Sequence, residues 1–433
     1  MATLSDRDKK VIWHPYTPQK YAPDPIPVTQ GKGAWLYDDK GNAYIDAISS
    51  WWVTVHGHAH PYIAEKIYEQ ALRLEQVIFA GFTHQPAVEL AERLLKTLPG
   101  EFSKIFYSDN GSTATEVAIK MAVQYWRNRG ETGRNRILAL KDSYHGDTFG
   151  AMSVSARGVF TKAFHDKLFD VVFAEAPSGD EAVKIEGMND REVDRLLDQC
   201  ACVIYEPLLQ GAGGMKMYDA GSLDRFLQQC RDHGVICIAD EVMTGFGRTG
   251  QLFASSRCEV KPDIICLSKG LTGGTMALSV TACNAGIHEA FVDDDKAKTF
   301  FHGHSFTANP IGCSAALASL DLFEKKETID NIRRIVERNK DFLVALQSRA
   351  EALRIRNLRQ TGTVVAFEVE VSDEGYTSDL KEIFTKKSLE RGVYLRPLGN
   401  TVYIMPPYCI TDEELSRVYE VIVEVLEGLD HTL

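Results

Sequence analysis

Apolar positions along the chain follow two periods. Unbroken runs occur at residues 137–140, 201–205, 235–239 and 264–267. Such runs suit strands buried on both faces of a parallel sheet. Between them apolar residues recur at helical spacing. Val88, Leu90, Ala91, Leu94 and Leu95 do so in residues 86–98, and Val117, Ala118, Met121, Ala122 and Tyr125 do so after Thr113. Residues 191–200, 222–233 and 309–323 also read as helices. Strands alternating with helices predict a parallel sheet with crossover helices on its faces.

The ends of the chain read differently. Five prolines between Pro15 and Pro27 leave most of residues 1–35 irregular. Residues 33–48 alternate around an Asp-Asp-Lys-Gly-Asn turn and predict a hairpin. After the charged block Glu324-Lys325-Lys326-Glu327, a helix is predicted over 330–354, a strand over 364–369 and a helix over 380–389. Thr411 and Glu414 form a capping box for a last helix that buries Leu415, Val418, Ile422, Val425 and Leu429.

Two of the apolar runs each deliver one charge at the carboxyl end, Asp240 and Lys269. Ligands of parallel sheets bind beyond those ends. A lysine there, followed by Gly270 and by Gly273-Gly274, suits a Schiff-base lysine whose pKa a desolvated cavity lowers. An aspartate against a pyridine nitrogen keeps that ring an electron sink. Spacing alone leaves a second reading open: a surface lysine and a turn-capping aspartate. Asn110-Gly111-Ser112-Thr113, between a strand over 104–109 and a helix, forms a phosphate seat of free N–H groups and hydroxyls. It is not a P-loop. Arg396 follows a strand-like stretch and suits a carboxylate clamp, with a surface salt bridge as the alternative. Arg248, in a glycine-rich turn, reads as a donor to backbone carbonyls.

Composition narrows the classes. The 433 residues carry a net charge of −12, which argues against nucleic acid. Nine cysteines, an odd number without a CxxC spacing, read as reduced buried thiols. His56, His58 and His60 lack carboxylate or thiolate companions, so no metal site is expected. The N-terminus lacks the apolar core of a signal peptide and no apolar run is long enough to span a membrane, so a cytoplasmic protein is expected.

IADEVMTGFGRTG at 238–250 and PDIICLSKGLTGG at 262–274 resemble the fold-type I, subgroup II aminotransferases. The similarity covers nearly the whole chain. Further stretches resemble the branch that converts 8-amino-7-oxononanoate to 7,8-diaminononanoate in biotin biosynthesis: IWHPYT at 12–17, SSWWVTVHGHAHP at 49–61, MAVQYW at 121–126, YHGDTFGAMSV at 144–154 and LRPLGNTVYIMPPY at 395–408.

The resemblance implies an α/β fold with a mostly parallel central sheet flanked by helices, and a smaller α+β domain. Residues 1–60 would join the small domain and the active site, 61–323 would form the large domain that binds pyridoxal 5'-phosphate (PLP), and 324–433 the small domain. It implies a homodimer with shared sites. Lys269 would bond the cofactor, Asp240 would face its ring nitrogen, and Tyr144 would stack on the ring and meet the substrate. Gly111 and Ser112 would hold the phosphate. His304 and Ser305 would reach the phosphate of the partner's cofactor, although Pro-Thr is common in their place, and Gly303 would touch substrate. Tyr16 and Trp51 would enclose the substrate chain, with Trp52 structural, and Arg396 would take the carboxylate. The expected donor is S-adenosylmethionine, with lysine as the alternative. Other readings are an ω-amino acid or ornithine-type aminotransferase, a mutase of the same fold, and a non-catalytic α/β binding protein.

Overall fold

A computed structural model of the chain describes residues 2–179, 183–371 and 378–429. Its centre is a seven-stranded sheet. Across it the order is Phe102–Ser108, Ser279–Asn284, Ile264–Leu267, Ile236–Asp240, Cys200–Tyr205, Arg136–Leu140 and Val172–Ala174. Every residue of the three middle strands is buried, which is why their sequences show no alternation. Each fully buried Ile, Leu or Val there contributes roughly 1.5–3 kcal/mol. Ser279–Asn284 runs antiparallel to both neighbours. Its sequence, SVTACN, has too few large apolar residues to announce a buried strand, and it was not expected.

Register sets the site. Ile238 lies opposite both Ile264 and Ile204, so the strands end together and release Asp240, Lys269 and Glu206 at one edge. The helix Gly111–Asn128 covers the sheet with Val117, Ala118, Met121 and Ala122. Trp126 is buried beside them, donating from Nε1 to the Ala201 carbonyl at 2.8 Å, while Tyr125 is only partly buried.

The remaining strands form small sheets. Val28–Lys32, Trp35–Asp38 and Ala43–Asp46 are antiparallel, and Val393–Tyr394 joins them in parallel. That pairing sets Asp46 opposite Tyr394, two residues before Arg396. Ile355–Thr361, Val364–Val369 and Thr401–Ile404 form a three-stranded sheet. The helices Lys326–Gln347 and Asp412–Glu427 pack nearby, the second capped by Thr411 and Glu414 as expected. One helix stands in the N-terminal region predicted irregular, Leu4–Val11. It precedes the first proline, and Thr3 and Asp6 close a capping box at its start. All nine cysteines are free thiols, eight of them buried. Among the described residues, no helix is long and apolar enough to cross a membrane.

Candidate active site

A cavity of about 460 Å³ opens beyond the sheet edge, and both Asp240 and Lys269 line it. Lys269 is the second residue after the buried strand Ile264–Leu267, with a left-handed φ of 48°. A residue with a side chain pays roughly 1–2 kcal/mol for that conformation, so the surroundings must hold it. The Ser268 carbonyl accepts from Leu271 N at 3.0 Å, and Ser268 Oγ donates to the Leu278 carbonyl at 2.9 Å. The next residue must be glycine, since a Cβ on Gly270 would stand 2.8 Å from Phe246 Cβ. Lys269 Nζ lies 4.8 Å from the centre of the Trp52 ring. Burial lowers its pKa to about 8; Asp240 and Glu206 pull the other way, and Arg248 adds to the lowering. A lysine of that kind is a nucleophile and base at neutral pH.

Asp240 is buried, and each of its carboxylate oxygens has a protein partner. One carboxylate oxygen pairs with His145 Nδ1 at 2.7 Å and the other accepts from Val242 N at 3.0 Å. His145 Nε2 is buried without a partner among the described residues. Glu206 accepts from Tyr144 N at 3.0 Å and Gly211 N at 2.9 Å, so it fixes the turn that carries Tyr144. Burial raises its pKa to about 7, with Asp240 adding to the rise and His145 opposing it.

Gly111 and Ser112, expected to seat a phosphate, also line the cavity. They open the helix Gly111–Asn128, capped by Asn110, whose side chain accepts from Thr113 N at 3.0 Å. Gly111 packs so closely that a Cβ would meet Val242 at 2.7 Å. Ser112 Oγ accepts from Asp147 N at 3.2 Å. An amine, a carboxylate and a helix N-terminus therefore border one space. That set fits PLP, whose aldehyde, ring nitrogen and phosphate need those three partners.

Toward solvent the cavity is bordered by aromatics. Tyr144 lines it, and its hydroxyl lies 3.3 Å from the Tyr16 hydroxyl. Tyr16 donates to Asp147 and meets Trp51 and Phe160 edge-on, each at 5.6 Å. The Arg396 guanidinium lies over the Trp51 ring at 5.1 Å. Tyr16, Trp51, Tyr144 and Arg396 thus form one contact chain from cavity to surface. Trp52, expected to be structural, does more. It lines the cavity under Lys269 and donates from Nε1 to the Tyr403 hydroxyl at 2.9 Å. Nothing in a Trp-Trp pair says which ring faces inward; only the backbone turn decides. Phe160 carried no signal at all, standing alone in an irregular stretch. Arg248 is buried and donates to the carbonyls of Pro406 at 2.9 Å and Trp52 at 3.2 Å.

Gly303, His304 and Ser305 are not part of this chain's own cavity wall. They lie in a surface loop where His304 N donates to Thr307 Oγ1 at 3.1 Å and the Ser305 carbonyl accepts from Gln76 Nε2 at 2.7 Å.

A PLP-type site at the edge of a doubly covered, mostly parallel sheet defines the fold-type I transferases. The chain belongs to the class-III aminotransferases, whose family model matches residues 16–426. The cofactor of that family is PLP. Among curated relatives, the adenosylmethionine-8-amino-7-oxononanoate aminotransferase of Synechococcus elongatus is 47% identical, covering 96% of this chain and 99% of its own length. The crystal structure of the protein of that name from Methanocaldococcus jannaschii superposes with a TM-score of 0.91 at 35% identity, covering 99% of both chains. The omega transaminase from Pseudomonas jessenii in complex with PMP gives a TM-score of 0.89 at 26% identity, covering 98% of both.

Proposed function

We propose that this chain transfers an amino group from S-adenosylmethionine to 8-amino-7-oxononanoate, yielding 7,8-diaminononanoate in biotin biosynthesis. The observation that carries the reading is the pairing of Lys269 and Asp240 in one cavity with an aromatic path from Tyr144 to Arg396. That path suits a substrate with an apolar chain between an amine-accepting carbonyl and a distal carboxylate. The names of the relatives support the same substrates.

Bound PLP supplies an electron sink for the carbanion formed at the carbon that gives up its amine. Lys269 would hold the cofactor, and its Nζ, with its lowered pKa, would carry a proton away from the donor's α-carbon and return one to the acceptor. Asp240 keeps the ring nitrogen protonated, and His145 holds that carboxylate in place. Tyr144 covers the ring. Gly111 and Ser112 bind the phosphate. Tyr16 and Trp51 enclose the apolar chain, and Arg396 grips the carboxylate with its two-pronged fork. Donor and acceptor use the site in turn, so ping-pong kinetics are expected.

The working form is a cytoplasmic homodimer. Phe301, Phe306, Ile78 and Phe82 are exposed around the Ser305–Gln76 contact, an apolar face that a second copy covers. In that dimer Gly303, His304 and Ser305 serve the partner's site. Residues 61–323 act as the cofactor domain, with 1–60 and 324–433 forming the smaller unit. Mixing the purified enzyme with each donor and following the cofactor's visible absorbance tests the reading. S-adenosylmethionine bleaches the band. Bleaching by lysine alone overturns the donor, and no turnover of 8-amino-7-oxononanoate overturns the substrate.

A further inference from the structure

The segment that carries both tryptophans is strained. Ser49, Ser50 and Trp52 all have positive φ, at 52°, 60° and 67°, and none is glycine. Side chains avoid that region, so its neighbours must enforce it, and such enforced strain gathers at functional sites. The turn sends its two rings to different ends of the site. Trp51 goes out under Arg396 at 5.1 Å, and Trp52 goes in under Lys269 at 4.8 Å.

We propose that Asp46 is a positioning residue: its buried carboxylate locks the Ser49–Trp52 turn, aligning the Arg396 end of the site with the Lys269 end. Asp46 is wholly buried and takes three donors, Ile48 N at 3.3 Å, Ser50 Oγ at 3.0 Å and His58 Nε2 at 2.8 Å. Its strand pairs with Val393–Tyr394, the strand that leads to Arg396, so carboxylate and clamp share one frame. The far side of the turn is closed as well. Ser49 Oγ donates to the Met405 carbonyl at 2.8 Å. Gly274, in the loop after Lys269, packs so tightly that a Cβ would stand 2.7 Å from the Val53 carbonyl. Asp46 thus receives a donor from before the turn, from within it and from beyond it. Without it the backbone relaxes out of the left-handed region and both rings move.

The proposal rests on Arg396 gripping the substrate carboxylate, so the test has one arm that needs no substrate. In Asp46→Asn and Ser50→Ala holoenzymes, the KM for 8-amino-7-oxononanoate rises, by about tenfold in the first, a scale set by small misplacements of binding groups. Added to Arg396→Ala, Asp46→Asn raises KM by clearly less than it does alone, since one of the groups it aligns is already gone. The second arm is the pH midpoint of the cofactor's visible band. The charges facing Lys269 are Asp240 at the end of the adjacent strand, Glu206 after the strand beyond that and Arg248 in the glycine-rich turn, and all stay. Losing the Trp52 face under Nζ lowers the midpoint by about half a pH unit, the worth of a weak cation–π contact. Ser50→Ala shifts it the same way by less, and it carries the test if Asp46→Asn does not fold. An unchanged midpoint in Ser50→Ala, or KM effects of Asp46→Asn and Arg396→Ala that simply multiply, overturns the proposal. If Arg396→Ala alone leaves KM unchanged while the midpoint moves, the lock stands and the clamp reading falls.

Discussion

The inner and outer halves of the cavity are built by different means. Lys269 and Asp240 stand on strand ends whose neighbours on both sides are paired in register. Tyr16, Trp51, Phe160 and Arg396 reach the mouth from four distant stretches outside regular secondary structure or at its strained edges, and Trp51 keeps 45% of its surface exposed. A hydrogen-bonded ladder fixes the two groups proposed to share the cofactor. Side-chain contacts between loops shape the space for substrate. Chemistry is thus anchored in the sheet and selectivity in the rim, and substitutions in the two regions should fail differently.

The largest effect is expected from Lys269→Ala. It removes both the proposed covalent anchor and the proposed proton carrier. Turnover should fall by at least about 10⁴-fold, the upper range for general acid–base groups, and the protein should lose its visible band. A retained band would detach the cofactor from position 269. Asp240→Asn keeps the shape and removes the charge. A fall in kcat of about 10²–10³-fold is expected, as for loss of one preorganised electrostatic partner, with little change in KM. Arg396→Ala inverts that pattern. Losing a charged hydrogen-bonding partner costs about 1.5–3 kcal/mol, so the KM for the carboxylate substrate should rise about 10- to 100-fold while kcat stays within a few-fold. Steady-state kinetics on the three variants would break the division if Arg396→Ala lowered kcat most.

That division also explains what the sequence made legible. Unbroken apolar runs ending in Asp240 and Lys269 follow directly from strands buried on both faces, so the inner half is written in local pattern. Gly111 and Ser112 open a helix whose cap is readable in four residues. The rim has no such period. Pattern left Arg396 between a carboxylate clamp and a surface salt bridge, Tyr16 stood out through resemblance to a family, and Phe160 not at all. The inward turn of Trp52 depends on the left-handed backbone of non-glycine residues, which Asp46 and, from far along the chain, Met405 enforce. Ser279–Asn284 was hidden for a related reason, since small residues suffice where two strands and a helix already close around it.

Glu206 offers the smallest and sharpest test of the inner half. Its carboxyl is buried beside Asp240, and its pKa stands at about 7 against an ordinary 4.5. A raised value means the folded protein favours the protonated form. The stability this contributes is complete below about pH 4.5 and is lost as pH rises through 7, on the order of 3 kcal/mol for that shift. Glu206→Gln removes the titration. One amide oxygen cannot accept from both Tyr144 N and Gly211 N, so the variant should be less stable at pH 5. It should then lose less on going to pH 8, and the two curves should converge. Urea unfolding of the cofactor-free chain between pH 5 and 8 measures this. Parallel curves would mean that the Glu206 carboxyl is already ionised at pH 5, held so by its two backbone donors, and that the inner site carries one more fixed negative charge than its burial suggests.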